Sequence, residues 1–311
     1  MADVINSAYD ALAELSVLEL TENPELFERA LEELLEGEQA YKMLFKTEHT
    51  DEEVVTYTEE DAPVLDAGLK PVAEFAEIPV ADPIRERVKK FAVIEEYAIG
   101  IRISERQKRM NRNGEVQREL AARARTIRRD NGLAAMAALK EAGIAEMPVA
   151  LAWDKSDADI REDIGLATDL IMSATDRFGN QHSYEPDVLW ANPVTINRAK
   201  RNKTVREDFI GDKASDNPLF KKVGQNPLIG GYLQIVPDLS IPVGEAYIAV
   251  EGRVGVEAQQ SNPTTTPFYE EGGQSGIGGP RMSHRSDYVH PRTLYVPAPK
   301  AIVRLTGLAT S

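Results

Sequence analysis

The strongest constraint on the fold is the stretch AEFAEIPVADPIRERVKKFAVIEEYAIGIRIS, residues 73–104, which reads as two strands joined by a charged tip. One face of the second strand is apolar except for Glu95, and the opposite face is partly apolar too. At about 3.3 Å per residue, a strand over 91–103 runs roughly 43 Å, too long for a local core to cover. Because a lone two-stranded hairpin is marginal in water, this one needs a further surface to lie on.

Charge is distributed unevenly along the chain, whose formal net charge is -15. Residues 1–80 hold 21 Asp or Glu against 4 Lys or Arg, a net charge of -17. Residues 84–129 hold 14 Lys or Arg against 6 Glu, a net charge of +8. An acidic head therefore precedes a basic middle segment.

Composition excludes several classes of protein. The chain has 311 residues, enough for a substantial core, and no cysteine, which excludes disulfides, zinc ribbons and thiol nucleophiles. The four histidines, His49, His182, His284 and His290, lack the spacing of a metal site and are interpreted as surface or packing residues. With neither a membrane span nor a secretory signal in the sequence, we expect a cytoplasmic protein.

Helical periodicity marks two segments in the first half. Residues 23–46 begin with Asn23-Pro24, a favourable helix start, and carry an apolar stripe, which predicts an acidic amphipathic helix. The charged, proline-interrupted segment 47–71 is typical of an extended linker. After a short helical turn, residues 115–142 give the longest helix signal, with many arginines beside a narrow apolar stripe. Gly132 interrupts this helix at a cost of about 1 kcal/mol relative to alanine.

The second half mixes both kinds of element. Residues 156–179 predict a capped helix, 186–202 a strand followed by a helix, and 230–259 several strands separated by proline and glycine turns. A further strand pair is predicted around Pro297 and Pro299. Because strands and helices do not alternate regularly, the pattern favours an α+β fold.

Motifs for catalysis or cofactor binding are not found. The glycine-rich stretch 272–281 lacks the lysine and helix start of a phosphate loop, so it is interpreted as a flexible loop. The acidic pairs are adjacent in sequence and point to opposite faces of a strand. The basic helix lacks the aromatic residues that stack on bases, which argues against a sequence-specific reader of nucleic acid. We therefore predict no catalytic, cofactor or metal site.

Six segments in order carry a family resemblance: the acidic head, the hairpin, the long helix after SERQKRMNRNG, YEPDVLWANPVT, PVGEAYIAVEGRVGVEAQ and VPAPKAIVRLTGL. Together they resemble a tailed-bacteriophage major capsid protein of the Hong Kong 97 fold, over roughly residues 69–308. The resemblance implies an acidic N-terminal arm (1–68), an extended loop (69–103), a peripheral domain with a spine helix (104–146 and 254–296) and an axial domain (147–253 and 297–311).

The resemblance also implies what covers the hairpin: other copies of the chain, in hexamers and pentamers of an icosahedral shell around double-stranded DNA. The residues expected at contacts between subunits are Phe75, Ile78, Phe91, Val93, Tyr97, Ile99 and Ile101. Basic side chains of the long helix, expected to meet a neighbour's acidic arm or packaged DNA, are Arg123, Arg125, Arg128 and Arg129.

Further partners follow from the same resemblance. The head before Leu69 is short, so scaffolding is expected from a separate protein, with portal and cement proteins as further partners and assembly in the host cytoplasm. Some family members cross-link a loop lysine to a neighbour's asparagine. Lys89 and Lys90 are available near the loop tip, but the sequence identifies no partner asparagine. Two other readings stay open: an encapsulin-type nanocompartment shell and a soluble α+β enzyme.

Overall fold

In the part of the chain that the structure describes, a six-stranded sheet, a five-stranded sheet, a two-stranded ribbon and one long helix form the framework, and this mixture of α and β elements agrees with the α+β prediction. The computed structural model describes residues 16–309 except 18, 20–23, 36–39, 63, 66–68, 73–76, 79, 81–88, 203–232 and 274. The helices are α1 (Pro24–Leu35), α2 (Glu105–Arg109), α3 (Asn113–Glu141), α4 (Ile160–Met172) and α5 (Pro193–Arg201). The strands are β1 (Phe45–His49), β2 (Val54–Thr58), β3 (Lys89–Val93), β4 (Glu95–Ser104), β5 (Ala145–Pro148), β6 (Val188–Ala191), β7 (Gln234–Pro237), β8 (Glu245–Ala249), β9 (Gly255–Gln259), β10 (Thr264–Thr265), β11 (Tyr269–Glu270), β12 (Ser283–Tyr295) and β13 (Ile302–Thr306).

The larger sheet is built around strand β12. Its first ten residues pair antiparallel with β4, from Ser283 opposite Ser104 to Arg292 opposite Glu95, and its last four pair with β9. Strand β1 adds to β9 in parallel, and the short strands β10 and β11 pair with β12. This sheet therefore joins the N-terminal segment, the basic middle and the last third of the chain.

The smaller sheet has the order β5-β13-β8-β6-β7. Its central strands are apolar and almost completely buried, as expected for a sheet covered on both faces. Asn192 caps α5 directly after β6, and Asp159 caps α4 by accepting a hydrogen bond from the backbone N–H of Glu162. The predicted elements over 156–179 and 186–202 are confirmed, and so are strands in 233–259, the described part of the segment predicted over 230–259.

Helix α3 links two hydrophobic cores. Its first half contributes Val116, Leu120, Ala124 and Ile127 to a smaller core with Leu31 of α1. Its second half contributes Ala135 and Leu139 to the main core, which is centred on the five-stranded sheet. The helix predicted over 115–142 is confirmed, and its apolar stripe explains why it can pack along its whole length.

The N-terminal predictions need two corrections. The acidic helix ends at Leu35, not residue 46, because Phe45–His49 pairs with β9 as a parallel strand and Phe45 is buried in the main core. The linker predicted over 47–71 contains strand β2, which pairs with β3. Both errors concern polar segments whose partners are distant in sequence.

The hairpin prediction also changes. Its second strand is interrupted at Ile94, and the two parts have different partners: β3 pairs with β2, and β4 pairs with β12. Most of its first strand lies outside the described residues. In the tail, β12 and β13 form as predicted but belong to different sheets, so they do not pair with each other.

The described residues of the glycine-rich stretch, 272–273 and 275–281, lie in turns, bends and a short 3-10 helix, as expected for a loop. Glu270 holds this loop through a side-chain oxygen that accepts a hydrogen bond from the backbone N–H of Ser275, at 2.5 Å. Gly278 and Gly279 have positive φ angles of 87° and 65°, and any Cβ there would meet backbone atoms at 2.5 Å. The loop therefore needs glycine at these two positions.

Gly132, the apparent defect in α3, allows a close approach of the loop before β8. A Cβ at Gly132 would lie 2.2 Å from Ser240 Oγ. Although alanine gains about 1 kcal/mol in helix propensity, we expect overpacking to prevail, so that Gly132→Ala lowers the free energy of unfolding by about 1–3 kcal/mol. Urea denaturation of the purified protein measures this difference.

Gly165 provides the matched control, because it lies inside α4 and a Cβ there meets nothing within 4 Å. Gly165→Ala should raise the free energy of unfolding by about 0.5–1 kcal/mol. Equal effects of the two substitutions would contradict the packing role of Gly132.

Candidate assembly surface

An apolar face is exposed on the two-stranded ribbon formed by β2 and β3. Alternate residues of each strand point away from the body: Phe91 and Val93 of β3 are 68% and 59% exposed, and Val54, opposite Val93, is 45% exposed. Side chains on one face of a paired ribbon lie close enough to act as a unit. We call the outward residues Val54, Phe91 and Val93 the ribbon face.

The inward side of the ribbon is anchored to the body. The ring of Tyr57 stacks on that of Tyr295 with centroids 4.5 Å apart. Lys90 Nζ lies 2.6 Å from Glu59 Oε1, and this bond raises the pKa of Lys90. The amine of Lys90 is therefore paired within its own chain, whereas Lys89 is exposed. The anchoring keeps the apolar side of the ribbon turned outward.

The other residues predicted at subunit contacts are in varied environments. Tyr97 is 45% exposed, and its ring lies 5.4 Å from the guanidinium of Arg292. Ile99 and Ile101 are half-buried against the smaller core of their own chain, which covers part of the long apolar strand. Ile78 is exposed, and Phe75 lies outside the described residues.

A groove of about 710 Å³ runs beside the ribbon. One wall is the alanine-rich part of α3 with Ala134 and Ala138, and the other includes Phe91 and Tyr97. Small side chains on one wall and aromatic rings on the other, together with charged side chains such as Glu141 and Arg292, form a concave surface of mixed polar and apolar character next to the ribbon face. Such a pairing of shapes is typical of a surface that a second protein segment can fill.

The four predicted basic residues of α3 do not form one surface. Arg125 and Arg129 are exposed and Arg128 is half-buried. Arg123 is only 2% exposed, so its assignment to a DNA-facing or assembly surface is corrected. Its guanidinium lies 5.7 Å from the centroid of the Tyr288 ring and donates to Ser286 Oγ at 3.5 Å. Burial lowers the pKa of Arg123 to about 10.

Sequence reasoning missed a buried polar cluster where α3, β9 and β12 meet. Arg292 Nη1 lies 2.6 Å from Glu257 Oε1, and both side chains are almost completely buried. Arg292 also donates to the hydroxyl of Tyr41 at 3.3 Å and to the side-chain oxygen of Asn131. Tyr41 donates to Glu257, and burial raises the pKa of that tyrosine. The cluster ties the N-terminal segment to the long helix and the larger sheet.

One sequence signal could have found this cluster. Residues 284, 286, 288, 290 and 292 alternate along β12, are polar or amphipathic, and are all buried. A polar stripe with the period of a strand indicates either a solvated face or a buried hydrogen-bonded network. The stripe alone does not distinguish the two, because the covering helix is distant in sequence.

His290 of this stripe gives an expected pH dependence. Burial lowers its pKa to about 4; the charge of Arg292 acts in the same direction and that of Glu257 opposes it. An unfolded histidine has a pKa of about 6.5. The stabilisation that neutral His290 gives the folded protein is therefore complete above about pH 6.5 and is lost as the pH falls toward 4. Between these pH values the imidazole of His290 takes up a proton only in the unfolded chain.

We expect His290→Gln to reduce the loss of unfolding free energy between pH 7.5 and pH 5, measured by urea denaturation of the purified protein. If the His290→Gln variant lost as much unfolding free energy between pH 7.5 and pH 5 as the natural sequence, His290 would not be the source of this pH dependence.

Two other kinds of site, a metal centre and a membrane-spanning helix, are absent from the described part of the chain. No group of three or more His, Cys, Asp or Glu side chains there is arranged to hold a metal ion. Among the same residues, no helix has the length and apolar character needed to cross a bilayer.

Comparison with solved structures supports the fold. A phage-related protein from Bordetella bronchiseptica is similar with a TM-score of 0.58 at 12% identity, covering 89% of this chain and 96% of that chain. A virus-like particle from Pyrococcus furiosus gives 0.57 at 13%, covering 90% and 97%. The structure from Mycobacterium phage Bobi gives 0.56 at 13%, covering 86% and 90%. At such low identity these similarities concern the fold, and they confirm the predicted phage capsid fold.

Comparison of the sequence, unlike comparison of the fold, identifies the family. No curated protein matches the chain. A family model described as phage capsid protein matches residues 87–304, which is more than half of the chain. This range includes strands β3 to β12 and the first three residues of β13. The chain therefore belongs to the phage capsid protein family.

Proposed function

We propose that the chain is the major capsid protein of a tailed phage, which assembles as hexamers and pentamers into an icosahedral shell enclosing the double-stranded DNA genome. Membership of the phage capsid protein family makes it a structural protein of a capsid shell. The proposal that copies of the chain assemble with one another is supported mainly by the ribbon face, whose apolar side chains are exposed in a single copy.

The energetics of the ribbon favour self-assembly. Burying one large apolar side chain contributes about 1.5–3 kcal/mol, and the ribbon face offers Phe91 together with Val54 and Val93. Closed symmetry supplies every copy with a neighbour that covers this face. Obligate interfaces bury roughly 2,000–5,000 Å², so other surfaces must contribute besides the ribbon face. The groove beside the ribbon, Ile78 and Tyr97 are the proposed additions.

The domain division is part of the proposal. We assign residues 1–68 to the N-terminal arm, 69–103 to the extended loop, 104–146 and 254–296 to the peripheral domain, and 147–253 and 297–311 to the axial domain. The five-stranded sheet, whose residues fall within 145–306, supports the axial assignment. The arm is more than a linker in this arrangement, because Tyr41, Leu44 and Phe45 lie in the main core.

Further partners are proposed on chemical grounds. The exposed Arg125 and Arg129 suit non-specific contact with packaged DNA or with acidic protein segments. Contacts of this kind weaken as salt rises, so assembly should depend on ionic strength. Scaffolding, portal and cement proteins complete the proposed set of partners, and assembly takes place in the host cytoplasm.

Negative-stain electron microscopy of the expressed full-length chain, with size-exclusion chromatography, tests the proposal. Closed particles, or hexamers and pentamers eluting far above the monomer mass, are the expected result. A protein that stays monomeric at every concentration and salt tested, alone or with its phage's other head proteins, would overturn it. That outcome would favour the third reading, a soluble α+β enzyme.

An encapsulin-type nanocompartment is the second candidate, favoured by the similarity to a virus-like particle from Pyrococcus furiosus. Mass spectrometry and nucleic-acid analysis of particles from the native source separate the two. A cargo enzyme without DNA would favour the compartment, and a DNA genome would favour the phage head.

A further inference from the structure

The groove beside the ribbon combines aromatic rings with charged side chains. The rings of Tyr57, Phe91 and Tyr97 line it, and those of Phe91 and Tyr97 are 68% and 45% exposed. Alanines of α3 form the facing wall. The volume of about 710 Å³ is in the range of pockets that hold small molecules. Because the face of an aromatic ring attracts cations, the first question is how the charge of the groove is balanced.

The cations among the described lining residues, Lys90 and Arg292, are paired with carboxylates outside the groove. Lys90 Nζ lies 2.6 Å from Glu59 Oε1, and Arg292 Nη1 lies 2.6 Å from Glu257 Oε1. Neither glutamate is among the described residues that line the groove. The two positive charges are therefore already balanced, and they leave the acidic side chains of the groove without a counter-charge.

Those acidic side chains are Glu95 and Glu141, and both are exposed. Neither forms an ion pair with a described residue, and Glu95 accepts a hydrogen bond from the hydroxyl of Tyr97 at 3.2 Å. Burial raises the pKa of Tyr57, and the negative charge of Glu141 acts in the same direction, so this carboxylate acts on the groove from the side of α3. Glu141 is also the last residue of α3, where the helix dipole attracts cations.

The two carboxylates lie at separate places along the groove. Glu141 acts on Tyr57, which pairs in register with Lys90 of β3, whereas Glu95 is the first residue of β4. Lys90 and Glu95 are five residues apart, about 16 Å along an extended chain. A single ammonium group, such as that of a lysine side chain, cannot contact both carboxylates over a separation of this order. A flexible chain of methylene groups that carries an ammonium group at each end can.

We propose that the groove beside the ribbon binds a linear polyamine. One terminal ammonium group pairs with Glu95 and the other with Glu141, while the methylene segments between them pack on the aromatic rings and on the alanines of α3. The inference goes beyond the proposed shell function and does not depend on it.

Equilibrium dialysis of radiolabelled spermine against the purified full-length protein tests the proposal. We expect saturable binding of one spermine per chain at low ionic strength, because salt screens exposed ion pairs. Glu95→Gln with Glu141→Gln should weaken binding about tenfold, since each exposed ion pair contributes about threefold. Phe91→Leu, which removes an aromatic face, should weaken binding about threefold. The shorter 1,4-diaminobutane, which reaches only one carboxylate, should bind about tenfold more weakly than spermine.

The matched control is Glu52→Gln with Glu96→Gln, which removes the same charge from exposed positions outside the described lining of the groove. Glu96 follows Glu95 in β4 and points to the opposite face of the strand. This control should bind spermine as the natural sequence does. Binding that does not saturate, or equal weakening by the two double substitutions, would show that spermine is only a counter-ion of an acidic chain and would overturn the proposal. Equal affinities for spermine and 1,4-diaminobutane would overturn it too.

Discussion

Replacing Glu257 by alanine is expected to lower the free energy of unfolding of the unassembled subunit by about 3–5 kcal/mol. The substitution leaves the guanidinium of Arg292 buried without its carboxylate, at a site where the two charged atoms lie 2.6 Å apart and neither side chain reaches solvent. An unpaired buried charge costs far more than the loss of an exposed ion pair. Urea denaturation at neutral pH measures the change.

Glu59→Ala is the matched control. It breaks an ion pair of the same length, Lys90 to Glu59 at 2.6 Å, but at an exposed position, so the expected loss is at most about 1 kcal/mol. If Glu257→Ala and Glu59→Ala lowered the free energy of unfolding by similar amounts, burial would not determine the cost of breaking the ion pair. Replacing the pair together, Glu257→Leu with Arg292→Met, should recover part of the stability lost in Glu257→Ala, because the buried charge is then removed.

Replacing Phe91 and Val93 by aspartate is expected to abolish shell formation at concentrations where the natural sequence assembles completely. Each lost apolar contact removes about 1.5–3 kcal/mol, and a charge buried at an interface adds a further cost. Since 1.4 kcal/mol corresponds to a factor of ten, one weakened contact already lowers the association constant about 10- to 100-fold. Light scattering against protein concentration, with electron microscopy of the products, measures the effect.

The unassembled subunit of this variant should keep its stability, because both side chains are more than half exposed before assembly. Ile277→Asp serves as the control, since Ile277 is also exposed but lies in the glycine-rich loop away from the ribbon. Normal shells from Phe91→Asp with Val93→Asp would exclude the ribbon face from the interface between subunits.

The sequence predicted those parts of the fold in which local pattern and final structure agree. Helix α3 was predictable because Val116, Leu120, Ala124 and Ile127 repeat at helical spacing and all four become buried. Asn192 before Pro193 marked the start of α5 for a similar local reason. The α+β class followed from the irregular order of such elements.

Elements defined by distant partners were not predictable in this way. Strand β1 has the polar sequence FKTEH, and it is a strand because β9 lies beside it. Arg123 shares the basic character of Arg125 on the same helix, and only the packing of β12 against α3 separates a buried from an exposed guanidinium. The sequence pointed to Phe91 and Val93 because their apolar excess is local, but it did not predict that β2 and Val54 lie beside them. The cluster of Glu257, Arg292 and Tyr41 was missed because it joins residues up to 251 positions apart.

The parallel pairing of Phe45–His49 with Gly255–Gln259 has a consequence for synthesis on the ribosome. The N-terminal strand emerges some 200 residues before its partner, and β4 likewise waits for β12. Contacts of such long sequence separation form slowly and late, which leaves apolar segments of the nascent chain open to aggregation. Chains released before residue 295 lack the central strand of the larger sheet, so only complete translation products can become competent subunits.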